Sequence, residues 1–543
     1  MDRKNIIFIM CDQLRFDYLG CAGHPTIKTP NIDALAARGV MFSNTTCQSP
    51  ICGPSRMCTY TGRYVSSHGA ASNFTPLRIG EKNIGDHLNP LGVRTTLVGK
   101  SHVIPDKEGL ARLGIDITSD VGTKIAQGGF EPFERDDGVH PDTMVSPNLP
   151  YNEYLKSKGY TEDDNPWHWA ANSVDTPDGV RSGFFNDSVD LPARVTDEDS
   201  ETPYMTRRAM DFLAQDDGKT PWLLHLSYIK PHWPYVAPAP YHDMYSKDDV
   251  IAAVKSEDEL VDTNPLAKHF MERVAGTTFS DEETRLKVIQ AYMGLITQID
   301  DQLGILFDFM RERDLLDNTM VVFTSDHGDY LGDHWMGDKD YFHNPSVKVP
   351  LIIADPSASA DATRGTVDHS LVELIDLLPT FIDYYDGTIP THILDGLSLM
   401  PRLRGESCEW RDYTISEYDY SCQVFRPKTG RMPLDCRSYM IATSEWKYVY
   451  APGFPPALFD LTNDPDELND LGSSAEHEAI RQSMFAKLGE WSLHYRQRET
   501  WSEERNLEMT GMEEKLGVLI GYKDEADAVG KDPKILPKRN PLN

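Results

Sequence analysis

The sequence has no run of the roughly 18 apolar residues that a membrane-spanning helix needs, so no helix of it is expected to cross a bilayer. Positive charge is also scarce. Lys and Arg number 53 against 85 Asp and Glu, a formal net charge of −32, and such a surface repels nucleic acid and anionic membranes alike. An anionic substrate would need a local cluster of cations strong enough to overrule that field. Cysteine is sparse, with eight in 543 residues and no CxxC pair, which argues against a disulfide framework or a zinc ribbon and for reduced core thiols. A secretory leader is not expected either. The apolar run Ile6 to Cys11 is too short for a signal core, and Asp12 stands where a small-residue cleavage site would come. The run reads as a first strand, and the chain as a soluble, cytoplasmic protein. Internal repeats and low-complexity tracts are lacking too.

What is present is ordinary globular material, 40% hydrophobic and 25% charged, in a chain too long for one ordinary core. Short apolar runs alternate with helical patterns through the first ~390 residues: Asn5–Met10, Arg94–Val98, Trp222–Tyr228, Thr319–Thr324 and Pro350–Ala354 read as strands. A helix opens with Thr29 as its cap and Pro30 in its first turn and runs through Arg38, with Gly39 as the stop. Leu286, Ile289, Met293, Ile296, Ile299, Leu303, Leu306 and Met310 mark another from Glu283 to Arg313. This predicts an α/β fold, a large mixed, mostly parallel sheet flanked by helices. Residues 128–200, rich in Gly, Pro, Asp and Asn without a sustained period, read as an insertion or lid. Within it Trp167-His168-Trp169 is expected to be a loop anchor, the alternative being a pocket wall. After about 400, Tyr439–Ala442, Trp446–Tyr450 and a helix from about Glu476 to Arg496 predict a smaller C-terminal α+β domain, an antiparallel sheet plus a helix. The expected division is a catalytic domain over 1–400, the α+β domain over 401–500 and a tail over 501–543, either loose or an oligomerisation arm.

The densest local signal is Cys52-Gly53-Pro54-Ser55-Arg56, followed by Thr61-Gly62-Arg63. Pro54 in a first helical turn puts Cys52 at the N-terminal end of a helix, where free amides and the dipole favour an anion. Arg56, one turn in, can fold back onto the same point. These residues resemble the signature of the formylglycine sulfatases of the alkaline phosphatase superfamily, Cys-x-Pro-Ser-Arg and then Thr-Gly-Arg. In that family a maturation enzyme oxidises the cysteine to an aldehyde. The plain alternative is a buried structural thiol beside a helix start.

Further polar groups follow apolar runs in the order the resemblance requires: Asp12-Gln13, Lys100-Ser101-His102, His232 in Lys230-Pro231-His232-Trp233-Pro234, and Asp326-His327-Gly328. In an open α/β sheet the carboxyl ends of strands meet at one edge, so such groups can converge. Singly, each has a plain explanation: Asp12 as a loop cap, His232 as a satisfied core histidine, Lys100 as a solvated charge. Trp446-Lys447-Tyr448 and Leu458-Phe459-Asp460-Leu461, with Asp464-Pro465 and Glu467, resemble the family's C-terminal domain.

The resemblance implies a divalent metal held by Asp12, Asp326, His327 and an oxygen of the modified Cys52, with Gln13 at or beside it. In the commoner family pattern a second aspartate stands at position 13 and an asparagine at 327. Exchanging a carboxylate for an amide and adding an imidazole makes manganese credible beside calcium, with zinc ranked last. It further implies a geminal-diol nucleophile oriented by Arg56, stabilising charges on Lys100, Lys339 and His232 with the last two on the leaving-group side, His102 as general base, and Asn73 in contact with substrate oxygens. Relatives that hydrolyse phosphonate monoesters and phosphodiesters share the Asp-Gln start and the Asp-His pair, but tend to carry Tyr and Thr where Lys100 and His102 stand here. The expected reaction is therefore sulfate monoester hydrolysis of the arylsulfatase type. The nearest alternative is phosphonate monoester or phosphodiester hydrolysis, and the alternative of another class is a non-catalytic anion-binding protein with Cys52 unmodified. Implied partners are a small anionic ester, a formylglycine-generating maturation enzyme, and further copies of the chain in a dimer or tetramer.

Overall fold

The first strand, β1 (Asn5–Asp12), is buried along its whole length in this computed structural model, which describes residues 4–142, 149–494, 500–516, 521 and 523. Its side chains alternate between two cores: Ile6, Phe8 and Met10 enter one, Ile7, Ile9 and Cys11 the other. A strand apolar on both faces is what a near-continuous hydrophobic run yields in a sheet covered on both sides. Each such side chain contributes roughly 1.5–3 kcal/mol of burial.

Around β1 lie β2 (Val40–Thr46), β3 (Arg94–Gly99), β4 (Glu131–Arg135), β7 (Trp222–Pro231), β8 (Thr319–Ser325), β9 (Lys348–Val349), β10 (Leu351–Ala354) and β11 (Thr366–Glu373). β5 (Ser173–Thr176) and β6 (Gly179–Ser182) form a separate hairpin. The large sheet runs β11-β2-β10-β8-β1-β7-β3-β4, with β9 on β2. β1 is parallel to both β7 and β8; β10 is antiparallel to both its neighbours, so the sheet is mixed but mostly parallel. Helices α1 (Pro30–Arg38), α3 (Glu201–Ala214) and the long α4 (Glu282–Glu312) cover one face. α2 (Cys52–Thr61) and α5 (Leu377–Tyr384) cover the other. A second, antiparallel sheet of β12 (Thr414–Asp419), β13 (Arg437–Ala442), β14 (Trp446–Tyr450) and β15 (Ala457–Asp460) packs with α6 (Glu478–Leu493). This is the α/β fold with a smaller α+β unit that the alternation of runs predicts.

Two details differ from the sequence reading, and a third call lies mostly outside the described residues. Residues 128–200 are not all insertion: β4 lies inside that span and pairs in parallel with β3 at the sheet edge. Its Glu-Pro-Phe-Glu-Arg sequence is half-buried, so it carries no apolar run to mark it. Thr29 occupies the cap position of α1 without capping it; its hydroxyl accepts from Gly20 N at 2.8 Å and lies 3.1 Å from Asp33 Oδ1. Of the expected C-terminal tail, residues 517–520, 522 and 524–543 lie outside the described residues, and the described part holds a short helix, Glu503–Met509. The Trp167 anchor is found as expected: the ring is buried and its Nε1 donates to Glu201 at 2.8 Å.

Candidate active site

β8, β1, β7 and β3 are adjacent, and the segments at their carboxyl ends carry Asp326 and His327, Asp12 and Gln13, His232, and Lys100 and His102 respectively. α2 brings a fifth contribution. It begins at Cys52 after Ile51, all ten of its residues are buried, and Gly62 in the left-handed region (φ 64°) stops it. Ser55 ties that first turn to the end of β8, donating to Asp326 O at 2.6 Å.

The Cys52 sulfur lies 3.1 Å from His327 Nε2, 3.2 Å from Lys339 Nζ and 3.6 Å from Asp12 Oδ1. Lys100 Nζ pairs with Asp12 Oδ2 at 2.5 Å. Arg56 bridges the two aspartates, Nε to Asp326 Oδ2 at 2.8 Å and Nη2 to Asp12 Oδ2 at 3.2 Å. Lys339 Nζ also meets His232 Nε2 at 3.0 Å and donates to Gln13 Oε1 at 2.9 Å. His102 lies within hydrogen-bonding reach of the sulfur, and among the described residues its buried Nδ1 has no hydrogen-bond partner. Asn73 Oδ1 accepts from Gly53 N at 2.8 Å at the start of α2. The structure thus gathers Asp12, Gln13, Cys52, Arg56, Asn73, Lys100, His102, His232, Asp326, His327 and Lys339 around one point.

Burial alone would raise the Cys52 thiol, but Lys100, Lys339 and His327 hold it well below the ordinary thiol range. Burial and the Cys52 charge would raise Asp12; Lys100, His232 and Arg56 outweigh them and hold it below the usual carboxylate range. Burial would lower His327, yet Asp326 and Cys52 push it up to about 9. This is a site built for anions, the local cationic cluster that the net charge of −32 demands.

Ligating atoms of Asp12, Cys52, Asp326 and His327, all buried, lie within 4.8 Å of one another. Two carboxylates and an imidazole suit a divalent cation of hard or borderline character. His327 Nδ1 lies 2.9 Å from Gly328 O, which leaves Nε2 facing the cluster, the way a metal-binding imidazole is usually held. The residues present fit a metal.

A family model described as Sulfatase matches residues 4–387. The chain belongs to the sulfatase family. A second model, N-sulphoglucosamine sulphohydrolase, C-terminal, matches residues 332–493 of this sulfatase. It is 32% identical to the multifunctional alkaline phosphatase superfamily protein PehA of Trinickia caryophylli, over 92% of this chain and 97% of that one. Identity to an arylsulfatase of Clostridium perfringens is 28%, over 88% and 92% of the two chains. Among solved structures, the phosphonate monoester hydrolase of Silicibacter pomeroyi superposes with a TM-score of 0.78 at 28% identity, covering 92% of this chain and 96% of that one. The protein is a sulfuric ester hydrolase of the alkaline phosphatase superfamily, close to the arylsulfatase and phosphonate monoester hydrolase branch.

The sulfatase site also uses residues that the motifs alone do not reveal. Ser227 accepts from Arg56 Nη1 at 2.7 Å. Asp137 accepts from the backbone amides of Ser101 and His102, at 3.0 Å each, and shapes the turn that presents His102. Asp329 and Tyr235 stand behind Gln13. Asp329 and Tyr235 lie two and three residues past His327 and His232, and Ser227 lies in a strand that its apolar run marks, so these three were within reach of sequence patterns; Asp137 sits in a segment without one. Backbone strain gathers here too: Gln13, His102, Asp338 and Asp340 all have positive φ, 66°, 53°, 64° and 93°. Each such non-glycine residue costs on the order of 1–3 kcal/mol, tolerated where surrounding contacts fix it.

Proposed function

We propose that the protein hydrolyses sulfate monoesters, with a nucleophile made from Cys52 by oxidation to formylglycine and a divalent cation beside it. One observation carries the reading: the Cys52 side chain sits at the buried start of α2, 3.2 Å from the Lys339 ammonium and 3.1 Å from His327 Nε2. The thiol sulfur stands where an oxygen of the hydrated aldehyde would be. Asp12, Asp326 and His327 would hold the cation, manganese or calcium, with Gln13 beside it; when bound it supplies the charge that ionises the attacking oxygen and neutralises a sulfuryl oxygen.

The chain's own groups do the rest. Lys100 and Lys339 place two fixed cations around the point of attack, so charge developing on the sulfuryl oxygens meets donors already oriented. Lys339 and His232, 3.0 Å apart, stabilise and protonate the departing alcohol. Arg56 neutralises Asp12 and Asp326 and orients the nucleophile. His102, its Nδ1 unpaired among the described residues, takes the proton in the step that frees sulfate. Asn73, its oxygen committed to Gly53 N, keeps its amide nitrogen for the substrate.

A second reading, phosphonate monoester or phosphodiester hydrolysis by the same residues, is favoured by the likeness to the Silicibacter phosphonate monoester hydrolase. Mass analysis of the Cys52 peptide from active protein decides the nucleophile: an aldehyde or its hydrate supports it, and an untouched thiol at full activity overturns it. Chelation should abolish turnover, and unchanged turnover would remove the metal. The ratio of kcat/KM for aryl sulfate and aryl phosphonate orders the two readings.

A further inference from the structure

The Gln13 amide is held from behind by carboxylates. Its Nε2 lies 2.6 Å from Asp329 Oδ2, 3.2 Å from Asp338 Oδ1 and 3.3 Å from the Tyr235 hydroxyl. Two amide protons match the two carboxylates, and the Tyr235 hydroxyl donates its own proton to Asp329 Oδ2 at 2.6 Å. The other Asp329 oxygen accepts from Leu331 N at 3.1 Å, so this buried carboxylate is fully engaged. The reverse flip would aim the amide oxygen at two anions and lose both bonds. Gln13 Oε1 therefore faces the site, where it accepts from Lys339 Nζ. The same geometry explains an amide rather than a carboxylate at position 13, since a third carboxylate enclosed against Asp329 and Asp338 would be repelled.

We propose that Asp329 is a positioning residue for Lys339, acting through Gln13, with Asp338 and Tyr235 completing the clamp. A lysine stem is flexible and its ammonium makes up to three bonds. Lys339 Nζ has an alternative partner in Asp338 Oδ1, 3.8 Å away. Asp338 is occupied otherwise, by Gln13, by Trp233 Nε1 at 3.3 Å and by Arg273 Nη2 at 3.3 Å. Gln13 Oε1, locked in place, draws Nζ between Cys52 Sγ and His232 Nε2 instead. The inference rests on the reading of Lys339 as the cation on the leaving-group side.

The test is a double-mutant cycle read across aryl sulfates of rising phenol pKa. Asp329→Ala should lower kcat/KM by about 10- to 100-fold for the poorest leaving groups, the usual loss on removing an outer partner of a site. The loss should be smaller for 4-nitrophenyl sulfate, with KM near that of the unmutated enzyme. Lys339→Ala should steepen the leaving-group dependence in the same way. Asp329→Ala added to Lys339→Ala should cost less than about 3-fold more, because its effect passes through a group already removed. Losses that multiply, or that are equal across the series, would overturn the assignment. If Asp329→Ala does not fold, Tyr235→Phe, which removes one donor to the same carboxylate, should give a milder loss with the same steepening; a flat loss would overturn the proposal. The unmutated enzyme separates the two claims: if it turns over no sulfate or phosphonate ester, the proposed function falls, whereas an active enzyme with an additive cycle removes only the role of Asp329.

Discussion

The Arg56 guanidinium is fully enclosed, reaching Asp326, Asp12, the Lys100 carbonyl at 3.0 Å and Ser227 at 2.7 Å. Removing it leaves two buried carboxylates short of a counter-charge, which costs about 3–5 kcal/mol when one partner of a buried pair is lost. Arg56→Ala should therefore lower unfolding stability by that amount in urea titration of the metal-free protein, and a change under about 1 kcal/mol would show that the aspartates are neutralised otherwise. His102 differs: among the described residues nothing bonds its Nδ1. His102→Ala should leave stability nearly unchanged but give a burst of about one equivalent of alcohol per enzyme followed by slow turnover, because the first displacement does not need its proton transfer. Slow kinetics without a burst would place His102 in the first half instead.

Elements with a long, one-sided or fully apolar pattern were legible: β1, β7, β8 and α4 lie within a few residues of where their apolar runs put them. Edge and half-buried strands were not. β4 is charged at three of its five positions and β11 is polar at five of its eight, and their pairing is decided by β3 and β2 rather than by their own pattern. β12 joins the two sheets' territories in a way that only the structure reveals. Its Glu417 is buried against Ser66, accepting from the amide at 3.0 Å and lying 3.2 Å from the hydroxyl. Burial, against those hydrogen bonds, pushes the Glu417 carboxyl up to about 7. A carboxyl raised on folding contributes stability that is complete below the unfolded value and is lost as pH rises through about 7, at roughly 1.4 kcal/mol per pKa unit. Glu417→Gln keeps the acceptor and removes the ionisation. Its unfolding midpoint should gain on the unmutated protein from pH 5 to pH 8, and a constant difference across that range would show that Glu417 titrates normally.

At the scale of the whole molecule, the gathering of Asp12, Lys100, His232 and Asp326 was legible, because each follows an apolar run and such runs end at a common sheet edge; Cys52 and Arg56 were marked by their motif, and Lys339 and Asn73 only by the family resemblance. How they touch was not. That Lys339 meets Gln13, or that Asp137 sets the His102 turn, depends on loops from separate parts of the chain whose packing leaves no periodic trace. Charge joins the two scales. A net charge of −32 surrounds a site that holds the ammonium groups of Lys100 and Lys339, so an anionic ester meets repulsion at long range and attraction only within a few ångströms. Salt screens the first far more than the second, since the Debye length falls from about 30 Å at 0.01 M to about 8 Å at 0.15 M while the buried cations sit inside that distance. The rate constant kcat/KM for an aryl sulfate should therefore rise by about 2- to 10-fold as sodium chloride increases over that range at pH 7. A neutral aryl ester would report no such change. A fall in kcat/KM with salt would mean that the cationic pocket steers substrate from beyond the acidic surface, and that the whole-molecule charge has no hold on encounter.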